Sequence, residues 1–355
     1  MESERRAIVL AAGLGTRLRP VTDIFPKCMV PVRGRPLLEY WLRALSGAGF
    51  GKCVVNTHYK ADLFREYLAG FPGDLDITIS HEEQLLGTGG TLLNNREFCQ
   101  GGPVMLIHAD NLCLTDLGAF WEAHARRPRN TAITMMTFQT PTPKTCGIVE
   151  LDEDGVVQAF HEKVENPPGD LANGAVYIVE PEVVEFIAGL GKPEVDFSTE
   201  VLPRFVGRIF THHNGDYHRD IGNPESLLAA HEDSWTFSPE QVDPDNWSRL
   251  CRGQLASELR GFPEALARSI GARQVEFERI AASAGDGKRD RDATILTVLP
   301  SSTDNVDAVA GEVRALFPEA KRIVLVSRFS ASRDVPHAIY NAHRVTWYQI
   351  CSQNI

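Results

Sequence analysis

The sequence predicts an α/β protein with a mixed, mainly parallel sheet flanked by helices and a small α/β extension at the C-terminal side. Three observations predict it. Apolar β-type runs alternate with helical patterns through the first half, as in successive βαβ units. The alternation then lapses into strands with little helix between them, which points to an antiparallel or mixed part of the sheet. After Trp235 the texture changes again, at the turn-rich Ser238-Pro239 and Asp243-Pro244-Asp245.

Taken in order, residues 7–11, 52–56, 76–80 and 104–108 read as strands. Residues 36–48, 60–69, 89–98 and 115–126 read as helices, because apolar side chains recur at three and four, as in Leu37, Trp41, Leu42 and Leu45. Strands are expected at 131–139, 147–151, 156–162 and 174–179, helices at 181–188 and 198–206, and a short strand pair at 208–211 and 216–219. A chain of 355 residues exceeds what one core usually serves. We therefore expect a Rossmann-like unit over residues 1–236, a helical connector over 237–292 and a small α/β region over 293–355. In the connector, Leu255, Leu259, Phe262, Leu266 and Ile270 keep helical spacing, split by Gly261 and Pro263. Residues 285–290 read as a solvated linker, followed by a strand-helix-strand unit at 293–299, 306–317 and 322–327 and a last strand at 344–350.

Composition excludes several function classes. The net charge of −11 argues against a general nucleic-acid surface, which needs clustered cations. No apolar run approaches the roughly 20 residues of a membrane span. The polar start leads into only a short apolar run, unlike a secretory signal, so a cytoplasmic protein is expected. Seven scattered cysteines without a Cys-x-x-Cys pair read as reduced thiols, neither a disulfide framework nor a zinc site.

The chemistry-bearing residues cluster at strand ends. Directly after the first strand comes Ala12-Gly13-Leu14-Gly15-Thr16-Arg17-Leu18, in which two glycines allow backbone N–H groups to approach a phosphate. Leu18 stands where a dinucleotide fingerprint needs glycine, and no Walker pattern is present. Arg17 and, beyond it, Pro26-Lys27 supply a planar fork and a point charge. Glu82-Glu83-Gln84-Leu85-Leu86-Gly87-Thr88-Gly89-Gly90 follows the third strand and opens a helix, where Thr88 has the chemistry of an N-cap. Asp110, after Ile107-His108-Ala109, stands at the carboxyl end of the fourth strand, where open α/β sheets bind ligands. Asp220 lies in Tyr217-His218-Arg219-Asp220-Ile221-Gly222-Asn223-Pro224.

The composite of Gly13-Leu14-Gly15-Thr16-Arg17-Leu18 with Pro26-Lys27 resembles the signature of the sugar-1-phosphate nucleotidyltransferases. That resemblance implies the nucleotide-diphospho-sugar transferase fold over the chain to about Trp235. It implies catalytic roles for Arg17 and Lys27 on the triphosphate, and nucleotide binding by Ala12, Gly13, Gly15, Thr16, Gln84, Gly87 and Thr88. Asp110 and Asp220 would hold Mg²⁺. The block around Asp110 departs from the Asn-Gly-Asp of many relatives by His108 and Ala109. Phe160-His161-Glu162-Lys163-Val164 is similar to the family's Glu-Lys-Pro motif, with Val164 for proline, and Asn173-Gly174-Ala175 to a block lining the sugar site. Glu162, Lys163 and Asn173 are thereby implied to bind the sugar phosphate.

The implied reaction joins an NTP to a sugar 1-phosphate and releases pyrophosphate. The motifs look most like guanylyltransferases acting on mannose or heptose 1-phosphates and their cyclitol relatives, which favours GTP. Uridylyl transfer to a hexose 1-phosphate and a non-catalytic nucleotide-sugar-binding subunit stay open as alternatives. So does assembly into a homo-oligomer. No acyltransferase repeat follows in the C-terminal region.

Overall fold

A computed structural model describes residues 4–235, 245–276, 293–299, 305–330 and 345–352. The chain opens with β1 (Arg6–Leu10), the short helix α1 (Val21–Ile24), a hairpin of β2 (Pro31–Val32) and β3 (Arg35–Pro36), and α2 (Leu37–Gly47). There follow β4 (Lys52–Thr57), α3 (Ala61–Leu68), β5 (Asp76–His81), α4 (Gly87–Asn94), β6 (Val104–His108), β7 (Asn111–Leu114) and α5 (Leu117–Ala125). Next come β8 (Ile133–Gln139), β9 (Gly147–Leu151), β10 (Val157–Glu162), β11 (Leu171–Val179), α6 (Pro181–Gly189), β12 (Ile209–His213), β13 (Tyr217–Asp220) and α7 (Pro224–Glu232). Beyond Trp235 lie α8 (Asp245–Arg252), α9 (Phe262–Ile270), β14 (Arg273–Val275), β15 (Thr294–Val298), α10 (Val306–Leu316), β16 (Arg322–Ser330) and β17 (Val345–Ser352). The expected linker at 285–290 lies outside the described residues.

The central sheet has nine strands, with β10-β9-β11-β6-β1-β4-β5 as its main path, β8 attached to β11 and β12 to β8. β1 pairs in parallel with both β4 and β6, and β4 with β5. β11 is antiparallel to β6, β8 and β9, so β10 and β11 run against the other seven strands. The mixed, mainly parallel sheet is therefore as expected. Because the chain passes from β5 back across β1 to β6, the sheet has a switch point between β1 and its neighbours, where the loops diverge and leave a crevice.

Two local expectations change. The helix expected at 198–206 is instead a π turn (Phe197–Val201) and a 3-10 turn (Leu202–Arg204). Pro203 lacks the N–H that a continuing helix would need. The strands near 208–211 and 216–219 do not pair with each other: β12 joins β8 in parallel and β13 pairs antiparallel with β7. Asn214 redirects the chain between them, since its N–H donates to the Thr137 carbonyl at 2.7 Å and its side-chain oxygen accepts from the Asp216 N–H at 3.0 Å.

The period-2 alternation of the buried strands divides the apolar interior in two. Ala7 and Val9 of β1 face the core that contains α2 and α3, while Ile8 faces the core under α6. The parallel sheet β14-β15-β16-β17 is likewise two-faced. Ile295, Leu325 and Trp347 pack beneath α10, whereas Leu296, Val324, Tyr348 and Ile350 join the first core beside Trp41 and Phe25. The C-terminal sheet thus shares its interior with the larger unit.

Candidate active site

The crevice lies at the carboxyl ends of β1, β4, β5 and β6, and a buried polar network shapes two of its walls. Asn56, near the end of β4, accepts through Oδ1 from the N–H groups of Ala11 (2.6 Å) and Ala12 (3.2 Å). Its Nδ2 donates to Glu82 Oε1 at 2.9 Å and to Thr91 Oγ1 at 3.1 Å. The Thr91 hydroxyl donates to Glu82 Oε1 at 2.6 Å, and Glu82 Oε2 accepts from the Leu86 N–H at 3.2 Å. The glycine loop after β1 and the 82–91 segment are therefore held to one another by the core, before any ligand arrives. Sequence reasoning assigned Asn56 nothing. The available signal was a polar residue at the end of the apolar run Cys53-Val54-Val55.

Lys27 is the charged centre. Gly15 adopts φ +60, and a Cβ there would lie 2.8 Å from Thr22 Cγ2 and 2.9 Å from Lys27 Cβ, so glycine lets the loop close down on the lysine stem. The Lys27 residue is only 7% exposed, and its Nζ stands 2.5 Å from Asp110 Oδ2 and 3.7 Å from Asp220 Oδ1. The register of β13 on β7 pairs Asp220 with Asn111, which seats the second acid next to Asp110 although 110 residues separate them in sequence. Burial by itself would raise the Asp110 carboxyl. The charge and hydrogen bond of Lys27, with His108 and a backbone hydrogen bond, together outweigh it and hold Asp110 below the usual carboxylate range. Arg17 completes the group from the 3-10 turn Thr16–Leu18. A Cβ on Gly222 would lie 2.8 Å from Asp220 Oδ2 and 3.1 Å from Arg17 Nη2, so the glycine makes room for acid and guanidinium together.

A cavity of about 210 Å³ opens beside these charges, lined among others by Ala12, Gly13, Lys27, Thr88, His108 and Asp110. Nothing lies within 4 Å of where a Gly13 Cβ would be, so that glycine faces open space a ligand could enter. A larger groove, about 790 Å³, runs behind α4 past Leu93, Phe98 and Pro193 and holds none of Arg17, Lys27, Asp110 or Asp220. His108 has an enclosed Nε2 without a hydrogen-bond partner, and burial lowers its pKa, which favours the neutral ring.

The 82–91 segment differs in detail from its expected form. α4 starts at Gly87, and Thr88 does not cap it: the Thr88 hydroxyl accepts from the Phe197 N–H at 2.8 Å. The N–H groups of Gly89 and Gly90 donate to the Val195 carbonyl at 2.8 and 3.2 Å, so they are not available to a ligand. Gly87, at φ +72, packs so closely that a Cβ would lie 2.6 Å from Val195 O. Gly87 and Thr88 line the cavity, whereas Gln84 is exposed outside its lining and Thr16 is exposed on the loop.

Glu162, Lys163 and Asn173 form a second group at the ends of β10 and within β11. Lys163 has φ +50 and a largely exposed side chain with Nζ 3.0 Å from Glu162 Oε1. A register shift in β11 between Asn173 and Tyr177, with Ala175 at φ +55, turns Asn173 so that its Nδ2 donates to the Tyr177 hydroxyl at 2.7 Å and its Oδ1 accepts from the Ala175 N–H at 3.0 Å. Tyr177, which sequence reasoning did not single out, also sits 6.2 Å, centroid to centroid, from the His108 ring and links the two groups.

The acids suit a hard cation. Among the described residues there is no cluster of three acidic, histidine or cysteine ligands, but Asp110 and Asp220 both approach the same Lys27 Nζ. Mg²⁺ commonly takes one or two carboxylates and fills its octahedron with water and phosphate oxygens, so this donor set fits it.

Comparisons with known proteins agree with this architecture. A family model described as nucleotidyl transferase matches residues 6–236. The mannose-1-phosphate guanylyltransferase of Mycobacterium tuberculosis is 34% identical over 232 residues, which make up 64% of this chain and 64% of that protein. The UTP–glucose-1-phosphate uridylyltransferase of Synechocystis sp. is 28% identical over 269 residues, 72% of this chain and 64% of that protein. The match thus spans just under two thirds of the length of these curated relatives. A crystal structure of HddC from Yersinia pseudotuberculosis complexed with GMP-PN superposes with a TM-score of 0.55 at 26% identity, covering 64% of this chain and 97% of that one. UDP-glucose pyrophosphorylase complexed with UDP-glucose shares the fold, at a TM-score of 0.54 and 19% identity, over 64% of this chain and 97% of that one. Among the described residues no helix is long and apolar enough to cross a membrane.

Proposed function

The chain belongs to the nucleotidyl transferase family, and from that premise we propose that it transfers a nucleotidyl group from an NTP, GTP in our reading, to a sugar or cyclitol 1-phosphate of the mannose or heptose kind. The observation that carries this reading is Lys27, set between Asp110 and Asp220 at the mouth of a cavity walled by the glycine loop.

The chemistry asks little beyond positioning and charge. A phosphate monoester has its second pKa near 6, so at neutral pH the sugar phosphate carries its own ionised nucleophile and needs no general base. Its oxygen attacks the α-phosphorus in line. The new O–P bond forms as the bond to the β-phosphate oxygen breaks, and the electron pair leaves with pyrophosphate. Arg17 and Lys27 neutralise the α-phosphate and the departing pyrophosphate, Ala12, Gly13, Gly87 and Thr88 hold the nucleotide, and Glu162, Lys163 and Asn173 orient the acceptor. Mg²⁺ held by Asp110 and Asp220 supplies further neutralisation of the triphosphate when bound. We place the reaction in the cytoplasm.

The test is pyrophosphate release from a matrix of four NTPs against mannose, heptose, glucose and cyclitol 1-phosphates. GTP with a mannose- or heptose-type acceptor is expected to give the highest kcat/KM. A maximum for UTP with glucose 1-phosphate would move the assignment to uridylyl transfer, which the likeness to the Synechocystis enzyme favours. Nucleotide binding without turnover on any acceptor would instead mark a binding subunit.

A further inference from the structure

The family match ends at residue 236, yet side chains from beyond it hold the segments on both sides of Lys27. Phe25, two residues before the lysine and fully buried, meets Trp247 of α8 at a centroid distance of 5.8 Å and Phe262 of α9 edge-on at 5.6 Å. Four residues after the lysine, the Pro31 carbonyl accepts from the Tyr348 hydroxyl of β17 at 2.7 Å, and the Gly34 N–H donates to the Gln349 carbonyl at 2.9 Å. Trp247 is itself fixed to β17, its Nε1 donating to the Ile350 carbonyl at 2.9 Å. The same unit grips α7, which begins four residues after Asp220. Arg322 of β16 makes a bidentate pair with Glu225 at 2.8 and 2.9 Å and reaches Glu232 at 3.1 Å, while Tyr348 stacks on His231 at 4.3 Å.

These grips act on segments that cannot hold themselves. α1 has four residues, β2 and β3 two each, and Lys27 rides on a three-residue 3-10 turn. Helices and hairpins this short are unstable without tertiary packing. The larger unit contributes some of it, for example the Tyr40 hydroxyl on the Val32 carbonyl at 2.8 Å. The ring packing on Phe25 and the bond to Pro31 come from the C-terminal unit.

We propose that the C-terminal unit is a positioning element of the active site: Trp247, Phe262 and Tyr348 fix residues 25–31 and so aim Lys27, and Arg322 braces α7 behind Asp220. Its catalytic consequence rests on the transferase reading above. A displacement of about 1 Å at a reacting group costs on the order of 10²-fold in rate, so loosening the brace should lower kcat more than it alters KM.

The test uses the full chain with Tyr348→Phe, which removes one hydroxyl and keeps the ring, Trp247→Leu, and Trp247→Phe, which keeps a ring against Phe25. Fold is followed by circular dichroism and melting, and turnover by pyrophosphate release. Lys27 exposure is read separately as its rate of acetylation by acetic anhydride, mapped by mass spectrometry. Tyr348→Phe and Trp247→Leu are expected to lower kcat about tenfold or more with KM for the sugar phosphate within about twofold, and to speed Lys27 acetylation. Trp247→Phe should recover most of both. Folded variants with wild-type kcat and wild-type Lys27 acetylation overturn the proposal, as does a parallel rise in KM without loss of kcat. Should Trp247→Leu fail to fold, Tyr348→Phe decides alone. Should the wild-type chain turn over no substrate, the transferase reading fails while the acetylation rates still decide whether the C-terminal unit positions Lys27.

Discussion

Lys27 concentrates the energetics of the site, because one largely buried ammonium serves two carboxylates. Lys27→Ala is expected to lower kcat about 10³-fold, the scale on which preorganised charge acts in active sites, and Asp110→Asn similarly. Near-wild-type pyrophosphate release from both folded variants would sink the mechanism. Asn56 carries a different burden, since it joins the glycine loop to Glu82. Asn56→Ala leaves the Ala11 and Ala12 N–H groups without their partner and takes one of three donors from the buried Glu82 carboxylate, so it should destabilise the fold by about 1–3 kcal/mol in a urea titration and raise KM for the nucleotide. Arg17, Lys27, Asp110 and Asp220, which the structure gathers at one place, could be named as candidates from the sequence because each sits in a local motif. Asn56, Tyr177 and His108 were not, because their meaning lies in partners dozens of residues away.

At the level of elements, the strands of the parallel half were read within a residue or so, since buried period-2 runs bounded by turns are a local property. The 82–91 segment shows where such reading stops. It reads as the opening of a helix with an N-cap at Thr88, but Gly89 and Gly90 give their N–H groups to Val195, a residue more than 100 positions away. Close packing on residues 193–195 requires these glycines. Gly87→Ala should therefore combine the strain of φ +72 with a clash on the Val195 carbonyl, costing roughly 1–3 kcal/mol and displacing Thr88 from the cavity wall. The check is a lowered melting temperature together with a raised KM for nucleotide. An unchanged nucleotide KM in a destabilised variant would separate packing from binding. The strands β12 and β13 were each legible but their partners were not, because pairing is chosen by whichever sheet edge the turned chain meets.

At the scale of the whole molecule, the seam between α7 and β17 is one of the places where the C-terminal sheet meets the larger unit, and a buried histidine there should make stability depend on pH. His231 is buried against Tyr348, and burial pushes its pKa down to about 3 from 6.5. Between those values the unfolded chain binds a proton that the folded chain refuses. The stability it contributes is complete above pH 6.5 and is lost as pH falls toward about 3. Melting temperatures from pH 7.5 down to 4 should decline, and His231→Phe should flatten that decline; an equal slope in the variant would remove His231 as a cause. The sequence by itself determined the α/β class and the order of most elements, and named the charged candidates for the site, because periodicity, turn chemistry and motif spacing are written within a few residues. Only the tertiary structure decided that β13 lies on β7, which brings Asp220 to Asp110, and that the C-terminal sheet completes the core around Phe25 and Pro31. Both depend on contacts between residues a hundred or more positions apart, whose free energy comes from shared burial and has no trace in either segment read alone.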